Sequence, residues 1–150
     1  MATELTDAIA ALDTLVGTIT GLNSEPGSVP TNYTSFPFYV IEFDTSSITK
    51  ESAGSLRDML IISLQIHFGL PATITPSDRT AVFTYYGLVK DILALDANTT
   101  LSDTVDTLLA DSITVAYSLI GYRGIPTLGL EFSIPIKIRS VQSGSTFVKG

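Results

Sequence analysis

An α+β fold, with a mostly antiparallel sheet of about four strands and an N-terminal and a central helix packed on one face, is predicted by three observations. Apolar residues recur at the helical period in two separate stretches, and they alternate with polar residues in three others. The last two alternating stretches are joined by only YRGIP, and a parallel return would need a crossover of a dozen or more residues.

Between Thr3 and Leu22, Leu5, Ile9, Leu12, Leu15, Val16 and Ile19 follow one another at three- and four-residue steps and form a single apolar stripe, which predicts an amphipathic helix. Gly21 and Asn23 tolerate a left-handed helix end, and the prolines of SEPGSVPTNYTS cannot continue the helix, so a surface loop follows. Phe36 to Phe43, FPFYVIEF, is aromatic and β-branched without clean alternation, as expected of a strand covered on both faces. Residues 44–55, DTSSITKESAGS, are small, polar and aperiodic, and are expected to form a protruding, mobile arm. From Leu56 to Phe68 the alternation becomes strict: Leu56, Leu60, Ile62, Leu64, Ile66 and Phe68 share one face, interrupted near its start by Asp58, and Arg57, Ser63, Gln65 and His67 the other.

Thr75, Pro76 and Asp78 supply a capping hydroxyl, a first-turn proline and an acid at the positive end of the helix dipole. Val82, Tyr85, Tyr86, Val89, Ile92 and Leu93 carry that second helix to about Leu95; of the two tyrosines, one is expected in the core and one over a neighbour. LSDTVDTLLA reads as a short third helix capped near Ser102. Two strands close the domain, Ile113 to Tyr122 with Ile113, Val115, Tyr117 and Leu119 on one face, and Thr127 to Val141 around Leu128, Leu130, Phe132, Ile134, Ile136 and Ile138. Pro135 cannot donate to a ladder, which puts that point at an edge or bulge. Residues 142–150 are polar and glycine-containing and are expected to be a loose tail.

The 150 residues fit one domain, 1–150, of a size that buries roughly 68–70% of its unfolded surface. With 45% hydrophobic and 15% charged residues, the chain leaves an unusually uncharged surface for a free monomer, and part of it is expected to meet other subunits. A net charge of -7 argues against wrapping nucleic acid or an anionic membrane, although DNA can pass such a surface without sticking. The absence of cysteine removes disulfides, thiolate nucleophiles and Cys-type zinc sites, and suits a reducing cytoplasm. Acids at Glu4 and Asp7, with no basic leader, predict no secretory signal, and the apolar run MLIISLQI is far short of the ~20 residues of a membrane helix.

Catalytic chemistry finds little footing. The single histidine, His67, stands on the polar face of its strand and is expected to be solvated or at an interface; no G-x-S-x-G elbow accompanies it. No H-E-x-x-H, G-x-x-x-x-G-K or G-x-G-x-x-G occurs, Asp103 and Asp106 read as helix-start acids, and the sequons at Asn32 and Asn98 have no export signal, so no catalytic, metal or cofactor site is expected. The eight basic residues are scattered along the chain.

The order of elements resembles the tail terminator and minor tail (tail completion) proteins of long-tailed bacteriophages over most of the chain. The resemblance is carried by LTDAIAALDTLVGTI, SEPGSVP, SFPFYVIEF, the arm at 44–55, MLIISLQIHF, SDRTAVFTYYGLVKDIL, TLSDTVDTLL and IGYRGIPTLGLEFSIPIKI. It implies a structural subunit of the virion, assembled in the host cytoplasm. Such a subunit forms a homo-oligomeric ring, usually of six, that stacks on the tail tube protein, stops tube growth and meets the head-tail connector, with DNA passing through its lumen. A head-closure or neck adaptor of the same region is the alternative, and a small hydrolase or ligand-binding domain built around His67 is the rival from another class. Sheet edges and the arm are the expected contact regions, with Asp44, Ile48, Lys50, Glu51, Arg57 and Arg123 as candidate interface residues. Glu42, Asp44 and Glu131 are candidate lumen acids that repel DNA phosphates.

Overall fold

The computed structural model describes residues 4–27 and 36–150. Residues 28–35 of the expected loop, with Asn32-Tyr33-Thr34, lie outside them.

Helix α1 spans Glu4–Val16, and its three- and four-residue spacing buries Ala8, Leu12 and Val16. The α-helix stops before the expected Leu22: bonds from Thr18 and Ile19 reach back only three residues, a tighter turn, and Gly21 with φ 86° ends it in the left-handed region. Helix α2, Pro76–Ala94, begins with a capping box in which Thr75 Oγ1 accepts from the Asp78 amide (3.2 Å) and Asp78 Oδ2 accepts from the Thr75 amide (2.8 Å). Its buried residues are Val82, Val89 and Leu93. Tyr85 packs against the core beside Phe68, whereas Tyr86 is partly exposed with its ring 6.3 Å from that of Phe132.

Strands β1 (Phe38–Ser52) and β2 (Ser55–Gly69) form one long antiparallel hairpin. The stretch 44–55 is therefore not a loose arm. Thr45 pairs with Ile61, Lys50 with Leu56, and the chain reverses at Ala53 and Gly54, where φ is 85°. The strand was hidden because alternation reflects burial of one face, and every residue of β1 from Glu42 outward is exposed. Both faces are covered, as expected, only at Phe38, Tyr39 and Val40.

The short third helix is absent. Leu101, Ser102 and Asp103 have φ of 45°, 57° and 67°, and Thr107–Leu108 instead forms β3, paired with the last long strand. Side chains here satisfy the backbone locally and compete with a helix: Thr104 Oγ1 donates to Leu101 O (2.7 Å), and Asp103 N donates to Thr100 Oγ1 (3.3 Å). Leu101, Val105 and Leu108 reach the core nonetheless.

Strand β4 (Thr114–Leu119) pairs antiparallel with β5 (Leu128–Ser143), Leu119 opposite Leu128 and Thr114 opposite Ser133. Their connection closes at a Tyr122–Ile125 bridge with Arg123 and Gly124 at φ 49° and 82°, the geometry of a primed turn. The expected loose tail is structured as well. Strand β6, Thr146–Lys149, folds back on β5 through a turn at Gly144, φ 65°, and Ser143-Gly144-Ser145 is turn chemistry that a reading for polarity alone passes over.

Among the described residues the sheet thus has six strands rather than about four, all paired antiparallel. Across it run β1, β2 and β5, and along the far side of β5 lie β4, β3 and β6 in succession. Pro135 faces Ile61 of β2, while on its other side β4 has ended at Ser133 and β3 begins at Ile136, so the missing amide falls at a break in the ladder. One face of β2 and β5, with Leu60, Ile62, Leu64 and Ile66 opposite Ile136, Ile134, Phe132 and Leu130, belongs to a single apolar cluster with Leu12 of α1 and Val89 of α2. Gly129 belongs to the close approach of the two strands: a methyl group there would meet the Ile66 carbonyl oxygen and Ile120 Cδ1. Among the described residues, no helix is long and apolar enough to cross a membrane.

Candidate assembly interface

The candidate interface residues of the sequence fall at two ends of the sheet. At the hairpin end, Glu51 sits between two arginines, 3.6 Å from Arg57 Nη1 and 3.2 Å from Arg139 Nε. Arg57 and Arg139 are cross-strand partners, and the shared carboxylate offsets their repulsion. Arg139 was missed because its partner lies far along the chain; only the β2–β5 register brings them together. Lys50 and Ile48 lie on the same exposed stretch of β1, Ile48 at 66% exposure, and Asp44 occupies the bulge between Phe43 and Thr45. Arg123 is at the other end, in the β4–β5 turn, its guanidinium 5.7 Å from the Tyr122 ring centroid. The six residues do not make one surface.

Glu42 and Glu131 share the sheet face opposite the main core, as their pairing with Ser63 and Gln65 of β2 requires. Glu42 is exposed, whereas Glu131 is half-buried and accepts hydrogen bonds from Ser63 Oγ (3.1 Å) and Gln65 Nε2 (3.2 Å). Asp44, at the bulge, does not continue this pair.

His67 is not solvated. It is fully buried beneath a small second cluster, with its ring stacked on Phe38 at 4.8 Å and edge-on to Tyr122 at 5.7 Å. Gln65 points its amide nitrogen at Glu131, so its oxygen faces His67 and the Nε2–H must donate to it (3.1 Å). Nδ1 is then the free acceptor for the Thr127 hydroxyl (2.5 Å). Desolvation lowers the His67 pKa from 6.5 to about 4, which keeps this tautomer neutral. The neighbours come from β1, β2 and the β4–β5 connection, so alternation along β2 alone signalled a wet face.

The surface the sequence did not mark lies on the helix side of β4. Val115 and Tyr117 are opposite Phe132 and Leu130, which places them on the core face, yet among the described residues no helix covers them. Every residue of β4 is exposed. Between this strand and α2 runs a groove of about 470 Å³ lined by Arg79, Val82, Phe83, Tyr86, Val115, Tyr117 and Leu130. Phe83 is 77% exposed and Leu119 60%. The groove continues into a recess of about 110 Å³ that includes Lys90, Ile113 and Phe132.

Among the described residues, no group of three or more His, Asp or Glu is placed to hold a metal ion. No protein-family model matches this chain, and a search of curated proteins finds no match either.

Proposed function

We propose that this chain is a structural subunit of a phage virion that closes into a ring, six-membered by the resemblance, on the end of the tail tube. There it stops tube growth and joins the tail to the head connector. The observation that carries the assembly part of this reading is the uncovered flank of β4: a six-residue edge strand with no charged residue and with Val115, Tyr117 and Leu119 open to solvent. Natural sheets protect such edges with charge, proline or a covering element, and β4 has neither charge nor proline and, among the described residues, no covering element. A surface of that kind is satisfied by another protein chain.

The tail part of the reading is supported by the order of elements that resembles the terminator family, now without the short helix at Leu101. Glu42 and Glu131 on one sheet face are consistent with a lumen that repels phosphate, so DNA slides past unbound. Purified tail tubes incubated with the protein and imaged by electron microscopy should carry a ring of added density at one end, and tubes with bare ends would overturn the reading. Tight binding to duplex DNA at low salt would separately refute the repulsive lumen.

A further inference from the structure

The two outer strands of the sheet fit each other. We infer that the outer edge of β1 from one copy pairs antiparallel with the outer edge of β4 from the next, seating its apolar residues over the groove between β4 and α2. This rests on the self-assembly proposed above and names the surfaces that make it.

The direction of the strands carries the first step. β1 is antiparallel to β2, β2 to β5, and β5 to β4, so β1 runs opposite to β4. Setting β1 of a second copy beside β4 of the first, with the sheet faces aligned, therefore continues the antiparallel ladder. The operation that does so keeps strand direction and face unchanged, which is a rotation about an axis along the strands. Repetition of that contact is heterologous and closes into a ring when the rotation divides the circle.

Both edges are free to take part. The Tyr39 amide of β1 donates to Asn23 O, and among the described residues nothing pairs with its outer edge beyond that point. Among the described residues, β4 pairs only with β5. The side chains match as well. Ile41 and Phe43 lie on the core face, opposite Leu64 and Ile62, and in the joined sheet they come to the same side as Val115 and Tyr117. Phe43 and Tyr117, each nearly half exposed alone, would cover one another.

Charge favours this occupant over a β4–β4 pair. From Phe36 to Thr49 the only charged residues are Glu42 and Asp44, while the only charged side chains lining the groove and its recess are Arg79 and Lys90, the latter with one weak exposed partner, Asp91, at 3.9 Å. Glu42 lies on the sheet face away from the groove and does not reach these bases, but β1 brings no base to the groove before Lys50, whereas a two-fold β4–β4 contact would set two such grooves, with the like charges of their α2 helices, on one side of the sheet.

The absence of cysteine makes the test direct. Single-cysteine proteins, Val115→Cys or Tyr117→Cys in one preparation and Ile41→Cys or Phe43→Cys in the other, are mixed and oxidised, in solution and on tail tubes. Because a disulfide needs Cα atoms about 4.4–6.8 Å apart, one combination should give mixed dimers at least tenfold above either protein alone and above a Ser145→Cys control. Tyr117→Lys, at an exposed site, should weaken assembly at least tenfold with an unchanged melting temperature. Assemblies of normal size by native mass spectrometry that neither cross-link in this way nor respond to Tyr117→Lys would overturn this inference and leave the ring reading standing. Predominant β4–β4 cross-links would replace it with a two-fold contact. A chain that stays monomeric both in solution and with tubes would overturn the ring reading, and this one with it.

Discussion

Acidification is the perturbation that the buried His67 cluster makes specific. In the folded protein the ring is neutral, fully buried, stacked on Phe38 and held at both nitrogens, with its pKa lowered to about 4 by burial. In the unfolded chain it returns to about 6.5. Between these values the unfolded state binds the extra proton, so folding stability rises with pH across that window. The contribution is fully present above pH 6.5, declines as pH falls through it, and is exhausted near pH 4. The interval from 6.5 to about 4, at roughly 1.4 kcal/mol for each unit, sets the loss at about 3 kcal/mol.

Urea unfolding at pH 7.5, 6.0, 5.0 and 4.5, on the protein and on His67→Gln, measures this term. Glutamine keeps polar atoms at the site and cannot titrate there, so effects of the carboxylates cancel in the difference between the two proteins. The wild-type chain should lose about 1–2 kcal/mol more than the variant between pH 7.5 and 5.0, whatever the variant's starting stability. Parallel pH profiles would refute the assignment of a buried, neutral His67.

Gly129→Ala should destabilise the fold by about 1–3 kcal/mol in the same urea assay, because the methyl group meets the Ile66 carbonyl and the sheet must shift to admit it. Thr75→Ala removes the hydroxyl half of the α2 capping box and should cost about 0.5–2 kcal/mol, with helix content by circular dichroism otherwise kept. Glu51→Gln weakens both contacts with Arg57 and Arg139; the two guanidinium groups are partly exposed and water screens them, so a change of about 1 kcal/mol or less is expected in the same urea assay, and a clearly larger loss would refute that screening. Phe132→Ala empties a fully buried site opposite Leu64 and should cost about 3–5 kcal/mol.

What could be read from the residues follows from how many faces of each element are buried. Strands β2 and β5 each have one face in the main core, and their alternation placed them to within a residue or two. The caps and stripe of α2 did the same for the central helix. The outer half of β1 has no buried face and so no period, which made paired strand look like free arm. At 101–108 a buried set, Leu101, Val105 and Leu108, is spaced as on a helix, but the hydroxyls of Thr100 and Thr104 bind the backbone at Asp103 and Leu101, and the chain turns through positive φ at Leu101, Ser102 and Asp103 to reach the same core by another route. His67 failed for a different reason: its environment is assembled from segments some 30 and 60 positions away, and no local pattern contains them.

Strand β4 carries the sharper lesson, because there the pattern was read correctly and its meaning was not. Val115, Tyr117 and Leu119 alternate as a core face, and they do point to the core side, but α2 stops short of covering them. An apolar face that the chain's own helix will bury and one that a neighbouring chain will bury obey the same hydrophobic term and leave the same period in the sequence. Only the inventory of covering elements separates them: among the described residues α1 and α2 do not span the whole sheet, and the uncovered share falls at the edge. The interface proposed at β4 is thus written in the same alphabet as the core, and charged or catalytic residues do not mark it.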